Sequence, residues 1–262
     1  MRGKRKSIDN HDYARAINGC GQHSQKQLCC SDNFYRVGGA MGYLGSKAAS
    51  GAYQAIIANM PAHDLYIEAF LGTGAIFNKK PQAMHSIGLE LDEITLSEFR
   101  PCYPIELHNQ DALHFLTTFE FENAANTFIY ADPPYLAETR TSSKRYRKEL
   151  TTEQHIQLLT QLKHLSERGV KIMISGYPST LYDSLLTDWR TYEFNVMTRG
   201  GVRREKLWMN YTADSAHWST YAGVNFTDRQ RIKRKAERWA KNYQALEPKE
   251  RLAVLAAMLE VE

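Results

Sequence analysis

The stretch 126-NTFIYADPPYLAETR-140 decides the fold. Thr127 to Ala131 is a run of β-branched, aromatic and small residues that reads as a buried strand. That strand must stop at Asp132, because neither Pro133 nor Pro134 can donate a ladder hydrogen bond and each constrains the residue before it. A carboxylate and, three residues later, the aromatic ring of Tyr135 therefore stand at a stiffened strand end.

Outward from this point the chain repeats one plan. Upstream, "LYIEAF" (65–70), "SIGLEL" (86–91) and "IELHNQ" (105–110) read as short strands, and "SGAYQAIIANM" (50–60), "DEITLSEFR" (92–100) and "DALHFLTTF" (111–119) as helices between them. Downstream, "LTTEQHIQLLTQLKHLSERG" (150–169) predicts a helix capped at Thr151 with Gln154 three residues later, an apolar stripe of Leu158, Leu159, Leu162 and Leu165, and a stop at Gly169. "VKIMIS" (170–175) follows as a strand. Alternation of this kind predicts an α/β, Rossmann-like fold with a mainly parallel sheet covered by helices on both faces.

"YEFNVMTRGGVRREKLWMNY" (192–211) breaks the rhythm, since two alternating segments flank Gly200 and Gly201 and predict an antiparallel hairpin at one sheet edge. "DRQRIKRKAERWAKNYQALEPKERLAVLAAMLE" (228–260) predicts two C-terminal helices broken near Pro248, the first strongly basic. Residues 1–40 are polar and show no sustained periodicity. The expected organisation is a poorly ordered arm over 1–40, a core domain over 41–222 and a basic helical extension over 223–262.

With 262 residues, 43% hydrophobic and 24% charged, the chain is long enough for one sizeable domain. No apolar run is long enough to span a bilayer and the first residues lack the apolar segment of a secretory signal, so a cytoplasmic protein is expected. Cysteines at 20, 29, 30 and 102 have neither zinc-ligand spacing nor a disulfide framework, and read as free thiols. The net charge of +4 is small, but basic residues cluster at 2–6, 140–148, 199–206 and 229–241, which suits a polyanionic partner.

In an open parallel sheet, ligands bind off the carboxyl ends of the strands. Gly72 and Gly74, after the first strand, permit a tight turn and close approach of a ligand to the backbone. A dinucleotide fingerprint would need a glycine where Phe77 stands, and a phosphate loop would need a Gly-Lys-Ser/Thr close, so Glu68-x-Phe70-x-Gly72-x-Gly74 suits a nucleoside without a pyrophosphate. Glu90 is placed to accept from ribose hydroxyls, and Asp111 from an exocyclic adenine amine. Each acid alone is as readily a helix cap or a solvated loop residue. At the next strand end, Asp132 and the Pro133 carbonyl have the geometry to hold two N–H donors of one amine, with Tyr135 stacking on an extruded base.

In this order, "YLGSK" (43–47), "EAFLGTG" (68–74), "LELD" (89–92) and "DPPY" (132–135) resemble the Dam-like, D12-class DNA adenine N6-methyltransferases, over roughly residues 41–211. The resemblance implies the S-adenosylmethionine-dependent methyltransferase fold. It assigns Tyr43 and Lys47 to the methionine part of the cofactor, with Lys47 pairing its carboxylate. It also assigns Glu68, Phe70, Gly72 and Gly74 to the cofactor loop, Glu90 to the ribose and Asp111 to the adenine amine. Asp132, Pro133, Pro134 and Tyr135 would grip the target, with Asp132 bordering the cofactor too, and no metal is implied. The implied reaction is methylation of a flipped-out adenine in double-stranded DNA. An RNA substrate and a catalytically silent nucleic-acid-binding module are the rival readings.

One family feature is missing. Asp111 and Asp132 are 132 − 111 = 21 positions apart, leaving room for a helix and a strand but not for a target-recognition domain. DNA contact is then expected from Lys144, Arg145 and Arg147, from Arg199, Arg203 and Arg204 on the hairpin, and from the basic C-terminal helix. Arginines serve as phosphate anchors at least as often as they read guanine, so relaxed sequence specificity is expected. Such an enzyme would suit a phage or mobile element shielding its DNA from restriction.

Overall fold

The structure, a computed structural model, describes residues 47, 51–139, 147–198, 201–215, 221–223 and 225–259. The arm over 1–40 and Tyr43, Lys144, Arg145 and Arg199 lie outside the described residues. In chain order the helices are α1 (Ala52–Ala58), α2 (Glu93–Glu98), α3 (Ala112–Thr118), α4 (Thr152–Glu167), α5 (Thr180–Leu185), α6 (Phe226–Gln244) and α7 (Pro248–Leu259). The strands are β1 (Leu65–Glu68), β2 (His85–Leu89), β3 (Glu106–His108), β4 (Thr127–Ala131), β5 (Lys171–Gly176), β6 (Arg190–Thr198) and β7 (Gly201–Met209).

The strands form one sheet in the order β3-β2-β1-β4-β5-β7-β6. β1 to β5 are mutually parallel, while β7 runs antiparallel to both β5 and β6. The chain winds one way from β1 to β3 and the other way from β4, which puts the switch point between β1 and β4. This is the Rossmann-like fold of S-adenosylmethionine-dependent methyltransferases, a parallel sheet finished by an antiparallel hairpin.

Period-2 alternation buries the central strands β1, β4 and β5 on both faces. Ile67, Ile129, Ala131, Ile172 and Ile174 pack on one side against Phe115 and Leu116 of α3 and the leucine stripe of α4. Tyr66, Phe128, Tyr130 and Met173 pack on the other against Ile56 and Ile57 of α1, with Phe77 and Phe99. The expected box closes α4, since Gln154 N donates to Thr151 Oγ1 at 3.2 Å and Thr151 N to Gln154 Oε1 at 2.9 Å. Sequence patterning did not mark α5, whose six residues are too few for a period and are started by Ser179. Among the described residues, no helix is long and apolar enough to cross a membrane.

Candidate active site

β1 and β4 end side by side, so Glu68 and Asp132 reach the same carboxyl edge of the sheet. The alternation along β4 turns Asp132 to the side of Phe128 and Tyr130. Its Oδ1 accepts from Ser175 Oγ at 2.8 Å, and that hydroxyl is in turn 2.8 Å from Tyr130 Oη. The same Oδ1 accepts from Lys47 Nζ at 2.7 Å.

Lys47 is almost fully buried, also bonds the Tyr135 hydroxyl, and lies 3.7 Å from Glu205 Oε2. Burial works against its charge, but Asp132 and then Glu205 outweigh that penalty and raise Lys47 above the ordinary lysine range. Glu205 is itself pushed up by burial, against the pull of Lys47. Its Oε1 accepts from Tyr135 Oη at 3.3 Å, while Oε2 is buried without a hydrogen bond. The resemblance assigned Lys47 to the cofactor's carboxylate. In the free chain Lys47 pairs with Asp132 and Glu205, the carboxylates that share its buried corner, and it also stands at the wall of the cavity described below.

Glu205, like Ser175, is a site member that sequence reading missed. The register Ser175↔Leu207 sets β7 beside β5, and every second residue of β7 then shares a face, so Glu205, Leu207 and Met209 point to the side of Asp132. Alternation within "VRREKLWMN" was the available signal; the register was not.

A cavity of about 280 Å³ opens beside Asp132 and gathers Lys47, Glu68, Phe70, Gly72, Glu90 and Asp111 at its wall. Gly72 (φ 52°) and Gly74 (φ 65°) both take the left-handed conformation the loop requires. Gly74 lies one step behind the wall, where a Cβ would stand 2.0 Å from a Phe99 ring carbon. Glu90 holds the loop, accepting from Gly72 N at 2.9 Å and from Asp92 N at 2.8 Å. Asp111 caps α3, accepting from His114 N at 2.9 Å, so the helix-cap reading holds for one of its oxygens while the residue also lines the cavity.

At the cavity wall Glu68 accepts from Tyr66 Oη at 2.8 Å, and burial pushes its carboxyl up to about 8. Lys80 lies over the Tyr66 ring at 4.2 Å, donates to the Pro81 carbonyl, and is pulled down by burial to about 7. At the mouth, Arg147, an arginine expected on DNA, donates from Nη1 to Asp92 Oδ2 at 3.0 Å across the cavity rim. Asp92 is lowered first by the Thr95 hydroxyl and then by Arg147. Pro133 is buried and Pro134 half-buried at the cavity edge, while Tyr135 is only 7% exposed. On the hairpin, Arg203 is half-buried and bonds Tyr177, and the exposed Arg204 faces Glu193 at 3.5 Å.

The donor set fits S-adenosylmethionine. Its volume suits a nucleoside-sized ligand, Glu90 and Asp111 offer acceptors for hydroxyls and an amine, and the acids of the wall favour a cationic ligand. Among the described residues no three His, Cys, Asp or Glu side chains gather as a metal would need.

Residues 105–203 match the family model of the D12 class N6 adenine-specific DNA methyltransferases. This stretch is D12-like. The D12-like segment carries Asp111 and all of Asp132 to Tyr135, and the match supports methyl transfer with S-adenosylmethionine as donor. No curated protein matches the chain. Among solved structures it is similar to a magnesium protoporphyrin IX methyltransferase from Synechocystis PCC 6803 with bound SAM (12% identity, 79% of this chain and 99% of that one, TM-score 0.41). It is also similar to a SAM-dependent methyltransferase from Agrobacterium tumefaciens (11%, 61% and 60%, 0.40) and to a putative RNA methyltransferase from Pyrococcus horikoshii (8%, 71% and 95%, 0.41). Likeness at these identities and scores says nothing about substrate.

Proposed function

We propose that the protein transfers a methyl group from S-adenosylmethionine to the N6 amine of an adenine flipped out of double-stranded DNA. The observation that carries this reading is Asp132 at the end of β4, poised between the acid-lined cavity and Tyr135. When bound, the cofactor supplies a methyl group made electrophilic by its sulfonium. Lys47 and Ser175 both donate to Asp132 Oδ1, which fixes the carboxylate and leaves Oδ2 for one N–H of the amine. The Pro133 carbonyl takes the other N–H, and a proline there brings no N–H of its own. Two acceptors hold the nitrogen lone pair toward the cavity, a gain of alignment rather than of bond-making.

In this reading Glu90 holds the ribose, Asp111 the cofactor's adenine amine, and Phe70, Gly72 and Gly74 shape the loop around them. Tyr43 belongs to the same cofactor set. Arg203 and Arg204, with Lys144, Arg145, Arg147 and Arg199, meet the DNA. Residues 112–131, between Asp111 and Asp132, hold α3, a 3₁₀ turn at Ala124–Asn126 and β4, which supports relaxed sequence specificity.

The test is label transfer from methyl-labelled S-adenosylmethionine to matched DNA and RNA duplexes, followed by digestion to nucleosides. We expect N6-methyladenine from DNA and a loss of about 100-fold or more in Asp132→Ala. N4-methylcytosine would overturn the base assignment, and preferred labelling of RNA the substrate. Methylation-sensitive sequencing of a random plasmid should find many contexts modified; a single longer motif would refute relaxed specificity.

A further inference from the structure

Tyr135 is the ring assigned to stack on the flipped base, yet it is 7% exposed. Lys47 Nζ lies 4.8 Å from its ring centroid, and the aromatic ring against it is Tyr177, whose centroid is 4.3 Å from that of Tyr135 with the planes inclined by 55°. The placement follows from topology. β4 and β5 are parallel neighbours, and Tyr177 follows Gly176 at the end of β5 just as Asp132 follows Ala131 at the end of β4. Between the two rings and Ser179 the remaining space is about 10 Å³, room for one water at most and far below a purine.

Tyr177 is held there from the hairpin. Arg203 Nη1 donates to the Tyr177 hydroxyl at 3.2 Å, and the guanidinium carbon lies 5.8 Å from the ring centroid. Tyr177 is half-buried, which leaves its side chain an open side toward which to turn. Arg203 is also half-buried, and a guanidinium that meets a phosphate exchanges a neutral hydroxyl for a charged, bidentate partner.

We propose that Tyr177 is a second base-binding residue: Arg203 holds it over Tyr135 in the free protein, and it becomes the facing aromatic wall once a flipped purine enters. The inference rests on the adenine-methylating function given above. It accounts for two facts that function leaves unexplained, the covered stacking ring and an arginine bonded to a tyrosine beside the target grip. Tyr177 does not line the cofactor cavity, so its effect belongs to the nucleic acid and not to S-adenosylmethionine.

The test is steady-state methylation of a duplex that the wild type modifies, varying duplex and S-adenosylmethionine in turn, for wild type, Tyr177→Leu and Tyr177→Phe. Leucine keeps the apolar bulk and removes the π-face; phenylalanine keeps the face and removes the bond to Arg203. We expect Tyr177→Leu to raise KM for the duplex by about fivefold or more and to leave KM for S-adenosylmethionine within about twofold. We expect Tyr177→Phe to stay within about threefold of wild type on both. A smaller effect of leucine, an equal loss for both substrates, or a phenylalanine variant as impaired as leucine overturns the inference. A wild type that methylates no adenine in any duplex overturns the proposed function and this inference with it, whereas an active wild type with an indifferent Tyr177 overturns this inference alone.

Discussion

Glu205 gives the site its second carboxylate, facing the one lysine that Asp132 also uses. Removing it as Glu205→Ala frees Lys47 and the Tyr135 hydroxyl from a shared anchor, and misplacement of that kind should lower the methyl-transfer rate about 10- to 100-fold. Glu205→Gln, which keeps an acceptor for the tyrosine, should fall between. Neither should change the affinity for S-adenosylmethionine by more than about threefold, since Glu205 is not on the cavity wall. An isothermal titration beside a single-turnover assay separates the two effects; equal losses in both would count against an anchoring role. Glu68 and Lys80 make a different prediction. Glu68 titrates at about 8 in the folded chain against an ordinary 4.5, so between those values the folded state holds the extra proton and stability falls as pH rises. Lys80 titrates at about 7 against 10.5, so over that span the unfolded chain holds the extra proton and stability rises with pH. The two slopes meet in a trough between about 7 and 8. Melting curves from about pH 5 to 10 should show the double variant Glu68→Gln, Lys80→Met gaining most on wild type inside that trough, and a difference independent of pH would refute the assignment.

At the scale of elements, the glycine loop is the part least tolerant of change. Gly74→Ala would place a methyl 2.0 Å from a Phe99 ring carbon at φ 65°, and should cost about 1–3 kcal/mol or more. A lower melting temperature together with weaker S-adenosylmethionine binding would bear this out; a variant as stable as wild type would not. What the sequence made legible was local. The strand ends at Glu68, Glu90 and Asp132, the capping box of Thr151 and Gln154, and the paired strands of the hairpin all depend on residues within a few positions of each other, and each is found where patterning put it. Asp111 satisfies both readings of an acid at a strand end, because it is a helix cap and a cavity residue at once. What stayed hidden depends on which strand lies beside which, and in what register. The Lys47–Asp132 bond spans 85 positions and the Tyr135–Glu205 bond 70, separations at which no periodicity carries information. The pairing of Arg147 was hidden for a related reason: its charge was visible, but its partner Asp92 lies across a cavity that only the folded chain contains.

At the scale of the whole molecule, α6 stands out as a 19-residue helix with no buried side chain. Arg231, Arg234, Lys235 and Arg238 fall at i, i+3, i+4 and i+7 and so share one face, a stripe suited to a line of phosphates. Changing all four to glutamine should flatten the plot of log binding constant against log salt by up to about 0.9 for each phosphate left unneutralised, while the rate at saturating DNA stays near wild type. An unchanged salt slope would place the DNA elsewhere. The parallel sheet also has a consequence for engineering. Because α3 leaves the carboxyl edge and β4 begins at the amino edge, the turn at residues 119–123 lies on the far side of the sheet from Asp132. Asp132, where β4 ends, and Thr151, which caps α4, both lie at the catalytic edge. On the function proposed above, a module grafted at residues 119–123 would face away from the target amine, so an insertion meant to choose that amine belongs where the chain meets the carboxyl edge, beside Asp111 or after Asp132.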